Sequence, residues 1–241
     1  MFESLPLWLR KTLAWSVHAF TATGAVWGFL TLLAIWDSDF KLAIVYILVA
    51  MFVDGFDGML ARWFHVKEYA QRVDGSLMDN IIDYVNYVLV AALLLIKVPD
   101  IMPAGFNMAA AFSILLTSAY QFSQTDAKTD NESYFFKGFP SVWNFIVVYM
   151  MLLNLNPWIN LAVILICNIL VFVPVKYLYP TRNTRMRRFT LGFTYLYGGL
   201  GVWALLQYPD VPEWVAPVSS VYVAFYALMS FFPKLGMRKT A

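Results

Sequence analysis

The stretch Val53-Asp54-Gly55-Phe56-Asp57-Gly58-Met59-Leu60-Ala61-Arg62 closes one apolar run, and Asp74-Gly75-Ser76-Leu77-Met78-Asp79-Asn80-Ile81-Ile82-Asp83-Tyr84 opens the next. Acids in such runs are costly: an aspartate at the centre of a spanning helix costs roughly 2.5–3.5 kcal/mol on insertion scales, and less near the interface. Several at one place therefore need a compensating role. Asp54 and Asp57 are three apart, and Asp79 and Asp83 four apart. On helices each pair shares a face. A connection of about 15 residues makes the two runs antiparallel neighbours. The two carboxylate pairs then meet at one edge of a bilayer.

The surrounding composition requires that bilayer. Apolar residues make up 61% of the 241 residues and charged residues 13%, against about 45–50% and ~25% in soluble domains. A soluble chain of this size could not hide so much apolar surface. Disorder, nucleic-acid binding and an ordinary cytosolic enzyme are excluded. Eight segments approach the ~20 apolar residues a spanning helix needs: 13–36, 40–60, 77–96, 106–125, 140–155, 157–179, 189–207 and 214–232. The expected fold is an all-α integral membrane protein with eight transmembrane helices in a single domain, 1–241. The first run is too long for the apolar core of a signal peptide. The one cysteine, Cys167, excludes an internal disulfide and a cysteine zinc site.

Basic residues orient the chain. With the N-terminus in the cytoplasm, 15 of the 17 Lys and Arg fall on the cytoplasmic side, and only Lys41 and Lys97 fall outside. Both termini and the aspartate edge are then cytoplasmic. The densest positive run, Arg182, Arg185, Arg187 and Arg188, sets topology and attracts anionic headgroups.

Four ionised carboxylates in one pocket repel, and two divalent cations would cancel their charge. Oxygen-only ligands favour Mg²⁺, Ca²⁺ or Mn²⁺. Paired ions of this kind recur in displacement at phosphorus. Gly58 and Gly75 permit close approach of a ligand or a facing helix. Arg62, one turn beyond Gly58, can fork onto phosphate oxygens. An ion pathway is the other reading of intramembrane acids.

These residues resemble the signature of the CDP-alcohol phosphatidyltransferases, Asp-x2-Asp-Gly-x2-Ala-Arg followed by Gly-x3-Asp-x3-Asp. Asp54, Asp57, Gly58, Ala61, Arg62, Gly75, Asp79 and Asp83 match it at all eight positions. The spacer from Trp63 to Asp74 is twelve residues rather than the usual eight. That length is similar to the bacterial branch of the family that uses choline. Similarity to this branch extends to Ser16-Val17-His18, to the stretch from Tyr134 through Gly138-Phe139-Pro140 to Trp143-Asn144, and to Phe232-Pro233-Lys234-Leu235-Gly236.

The resemblance implies a helical bundle of that family in a bacterial inner membrane. It implies that Asp54, Asp57, Asp79 and Asp83 ligate two Mn²⁺ or Mg²⁺ ions. Asp83 takes the proton of the attacking alcohol, with Asp79 beside it. Gly58, Ala61, Arg62 and Gly75 shape the nucleotide site. The implied reaction joins CDP-diacylglycerol and choline and releases CMP. Serine, inositol or glycerol 3-phosphate are the alternative acceptors. Quaternary ammonium groups are held by aromatic faces, so Trp143 and Tyr134, with Glu132 as counter-charge and His18 nearby, are the candidate choline pocket. Membrane lipid is the surrounding partner, and dimers are common in the family.

Overall fold

The structure, a computed structural model, describes residues 2–124, 135–173, 176–178 and 187–231. The chain divides into two compact units, Met1–Lys97 and Val98–Ala241.

The first unit holds three helices long and apolar enough to cross a membrane. Helix α1 spans Leu7–Trp36 and follows Pro6, which fixes its start six residues before the apolar run itself. Helix α2 spans Phe40–Trp63, and its cap, Asp39, accepts from the Leu42 amide at 3.0 Å. The third rod runs Gly75–Lys97. It consists of α4 (Gly75–Asp83), a π-helical turn (Tyr84–Leu89) and a last helix, α5 (Val90–Lys97). At 1.5 Å per residue, 30 and 24 residues give about 45 and 36 Å, enough for a hydrocarbon core of about 30 Å. Large apolar side chains such as Phe29, Leu33, Phe52 and Ile81 stay exposed, as lipid-facing residues do.

Inward, α1 presents small residues in helical spacing: Ala14, Val17, Thr21, Gly24, Gly28 and Thr31 are buried. In lipid, close backbone approach replaces hydrophobic burial as the packing force. Asn86 of the third rod donates from Nδ2 to the Gly24 carbonyl at 3.2 Å. A Cβ on Gly28 would fall onto Asn86 Oδ1 and lie 3.0 Å from Val85 Cγ1. Gly28→Ala is therefore expected to destabilise the protein by about 1–3 kcal/mol, the usual cost of overpacking. A lowered midpoint of thermal unfolding in detergent would show it. Gly55→Ala, with nothing within 4 Å of its Cβ, should leave the midpoint in place.

The twelve-residue spacer is structured. After a left-handed His65 (φ 49°), a single helical turn, α3, covers Val66–Tyr69. Val66 and Ala70 pack with Ala14 and Val17 of α1. Arg10 donates to the Tyr69 hydroxyl at 3.0 Å and to the Leu5 carbonyl at 2.7 Å. Asp74 then caps α4, accepting from the amides of Ser76 and Leu77. Lys97, at the other end of the third rod, lies 4.8 Å from the centre of the Trp36 ring, a cation–π contact.

The second unit, taken by itself, contains α6 (Asn107–Ser123), α7 (Trp143–Leu153), α8 (Pro157–Phe172), α9 (Arg187–Leu206) and α10 (Val215–Phe231). Polar side chains join α6 to α8: Thr117 donates to Asn168 at 2.7 Å, and Asn168 to Ser113 at 2.9 Å. Asn156 caps α8 and Pro157 opens it, so the chain does break between the fifth and sixth apolar segments. The fifth helix is shorter than its apolar run. Pro140 and a left-handed Ser141 (φ 55°) precede α7, whose 11 residues reach only about 17 Å. Two short strands, Phe135–Lys137 and Lys176–Leu178, pair antiparallel with Phe135 opposite Leu178. At Gly138 (φ 82°) a Cβ would press on the Val171 carbonyl, so only glycine fits this turn.

Candidate active site

Three elements of the first unit line one pocket. Helix α1 supplies Thr21 and Gly24, and α2 supplies Ala50, Val53, Asp54 and Asp57. The third rod supplies Asp79, Ile82, Asp83 and Asn86. Both aspartate pairs of the sequence therefore face one space, as their helical spacing requires. Asp57 is 8% exposed, and Asp54, Asp79 and Asp83 are half-buried.

Asp54, Asp57 and Asp79 each bring a carboxylate oxygen within 4.8 Å of the others. Oxygen ligands sit roughly 2.0–2.6 Å from Mg²⁺ or Ca²⁺. Two ligands across one ion thus stand up to about 5 Å apart, so this triad fits a hard divalent cation. Asp83 lines the same pocket but stands outside the triad. That separates the four aspartates into three ligand candidates and one neighbour.

Hydroxyl-bearing residues surround the carboxylates. Thr21 lines the pocket together with Asp57. Tyr87 donates to Asp54 Oδ2 at 2.5 Å. Neither residue was singled out as functional by sequence reasoning. Both carried a signal. Thr21 lies three residues after His18 on the small-residue face of α1. Tyr87 continues the four-residue step of Asp79 and Asp83.

The small motif residues pack closely. A Cβ on Gly58 would lie 3.6 Å from Nη1 of Arg62, an exposed side chain one turn on. Ala61 packs on the Ala14, Val17, Val66 and Ala70 cluster. A Cβ on Gly75 would stand 3.1 Å from Cε1 of His18.

His18 is buried and edge-on to Trp15. Its Nε2 lies 3.3 Å from the Ala70 carbonyl, so it fastens the spacer beneath the start of α4. Trp143, in the second unit, has no exposed surface. Its Nε1 donates to Ser118 at 2.7 Å and its ring meets Phe139 edge-on. Tyr134 and Glu132 lie outside the described residues, as do Arg182 and Arg185 of the basic run.

Fold and site together define a multi-pass membrane enzyme built around a carboxylate centre. The sequence model of the CDP-alcohol phosphatidyltransferase family matches residues 15–175. The chain belongs to that family. It is 38% identical to a protein of Legionella pneumophila named phosphatidylcholine synthase, over 91% of this chain and 88% of that one. Proteins with the same name in Mesorhizobium japonicum and Pseudomonas aeruginosa are each 37% identical to it. The first match covers 94% of this chain and 90% of its relative, the second 78% of each.

Proposed function

We propose that this chain transfers the phosphatidyl group of CDP-diacylglycerol to choline, forming phosphatidylcholine and CMP. The convergence of Asp54, Asp57 and Asp79 in one pocket carries the chemistry. Near full-length similarity to phosphatidylcholine synthases supports choline as the acceptor.

Asp54, Asp57 and Asp79, with Asp83 at their side, would hold one or two Mn²⁺ or Mg²⁺ ions. A bound divalent ion neutralises diphosphate charge and acidifies a nearby hydroxyl. Asp83 accepts the proton of the choline hydroxyl. The choline oxygen then bonds to the phosphorus that carries diacylglycerol. The bond from that phosphorus to the bridging oxygen breaks, and CMP leaves with the electron pair. Arg62 forks onto phosphate oxygens, and Gly58, Ala61 and Gly75 keep the nucleotide's approach clear. Tyr134 and Glu132, with His18, are the proposed choline contacts. Trp143, buried against Ser118 and Phe139, completes that proposed set.

The two units work as one catalytic domain over 1–241, with eight spans in a bacterial inner membrane. Both termini and the site face the cytoplasm, and two copies assemble as a homodimer. A site at the bilayer edge suits a substrate with acyl tails in lipid and a nucleotide in water.

The test is CMP release by purified protein in detergent, given CDP-diacylglycerol, Mn²⁺ or Mg²⁺, and each alcohol in turn. CMP with choline is the expected result. CMP with serine alone would overturn the acceptor, and CMP with no alcohol tested would overturn the chemistry.

A further inference from the structure

We propose that Tyr87 is a positioning residue for Asp54: its hydroxyl holds one carboxylate oxygen so that the group is set for a divalent cation. The inference rests on the reading that Asp54 is a metal ligand.

Three observations carry it. Tyr87 donates to Asp54 Oδ2 at 2.5 Å, the short distance of a hydroxyl bonded to a charged oxygen. The bond also crosses between two elements, from the third rod to α2, and so ties the two halves of the carboxylate site together. The third observation is the backbone that brings the ring there. Asp79, Asp83 and Tyr87 follow one another at steps of four. Four residues overshoot a 3.6-residue turn, so a strict four-step series drifts around an α-helix. Here the segment Tyr84–Leu89 is π-helical, with the Val90 amide bonded to the Val85 carbonyl five residues back. The wider turn takes up the drift and keeps Tyr87 on the face of the aspartates. Single π turns inside α-helices occur frequently at functional sites.

The physical consequence is pre-organisation. A carboxylate on a short side chain rotates unless something fixes it, and a metal ligand must be fixed at the ligand distance. Outer hydrogen bonds of this kind are typically worth 10–100-fold in metal affinity. Tyr87→Phe keeps the ring and removes only the hydroxyl.

The experiment is a Mn²⁺ titration of the full-length protein in detergent, followed by electron paramagnetic resonance with no CDP-diacylglycerol present. Wild type should bind Mn²⁺ and Asp54→Asn should weaken it. If wild type does not bind, the metal reading itself fails. Tyr87→Phe should raise the Mn²⁺ Kd by about 10–100-fold. In the Asp54→Asn background the same change should add nothing. A Kd for Tyr87→Phe within twofold of wild type, or an undiminished effect in the Asp54→Asn background, overturns the proposal and leaves the metal reading standing. The dependence of CMP release on Mn²⁺ in washed membranes gives a second reading without purification. The half-saturating Mn²⁺ should rise by a similar factor while the rate at saturating Mn²⁺ returns to that of wild type. A lower maximal rate with an unmoved half-saturation point would mark a merely structural tyrosine and overturn the proposal.

Discussion

Excess EDTA is expected to lower CMP release from CDP-diacylglycerol and choline by at least about a thousandfold, and an excess of Mn²⁺ or Mg²⁺ to restore it. The expectation follows from charge. Oxygens of Asp54, Asp57 and Asp79 lie within 4.8 Å of one another. Two unit negative charges at that separation repel by roughly 3 kcal/mol at an effective dielectric of ~20, and the triad contains three such pairs. The diphosphate of the substrate brings further negative charge to the same place. Without a cation, approach of that diphosphate is opposed by every carboxylate in the pocket. With one, the same carboxylates become the frame that holds the compensating charge. Several kcal/mol of stabilisation at phosphoryl oxygens is the usual scale for a bound divalent ion, and each ~1.4 kcal/mol is tenfold in rate. Monovalent Na⁺, at half the charge, should not rescue. The assay is CMP release by chromatography, with unfolding followed in parallel to separate loss of the ion from loss of the fold. Full activity in EDTA, with folded protein, would remove the cation from the reaction.

How much of this could be read beforehand depended on whether a residue's meaning is local. The aspartates were legible because their cost in lipid and their spacing of three and four are properties of the chain itself. The starts of α2 at Phe40 and of α8 at Pro157 were legible in the same local way, whereas the third rod begins at Gly75, two residues before its apolar segment. Thr21 was not. In an apolar helix a threonine lining a pocket and one bonding its own backbone look alike. Thr31, for instance, does the latter, donating to the Trp27 carbonyl at 2.8 Å. Tyr87 had the right spacing but needed a partner on another helix to acquire a role. The pairing of Phe135 with Leu178 joins residues more than forty apart, and neither strand has more than three residues to announce it. The shortness of α7 depends on a left-handed Ser141 that composition does not reveal. Aromatic content also misleads in such a chain: with 9 Trp, 14 Tyr and 20 Phe, an aromatic near the signature carries little information. Trp143 satisfies its indole on Ser118, as a buried Trp must.

The structure also sets four chemically identical acids in different surroundings. Asp57 is the most enclosed. Asp54 is braced by Tyr87. Asp79 completes the triad from the opposite element. Asp83 lies one helical turn deeper along the third rod and lines the pocket without joining the triad. Acids committed to a cation have their lone pairs engaged by it. An acid beside the cation keeps oxygens for a proton.

Asp83→Asn should therefore cut turnover by about 10²–10⁴-fold, the range supplied by a positioned general base, while Mn²⁺ binding stays within a few-fold of wild type. Asparagine has nearly the size of aspartate and can still hydrogen-bond, so packing around the pocket is kept. What it lacks is an oxygen able to take a proton from the choline hydroxyl as that oxygen closes on phosphorus. The triad Asp54, Asp57 and Asp79 remains intact in this variant, which is why metal binding and turnover should part company. Asp57→Asn should behave differently, because it removes a carboxylate of the triad: Mn²⁺ affinity and turnover should fall together. Two measurements on each variant decide the matter, a Mn²⁺ titration without substrate and CMP release at saturating Mn²⁺. A fully active Asp83→Asn protein would take the base assignment away from Asp83. An Asp83→Asn protein that loses Mn²⁺ as completely as Asp57→Asn would make Asp83 a fourth ligand instead.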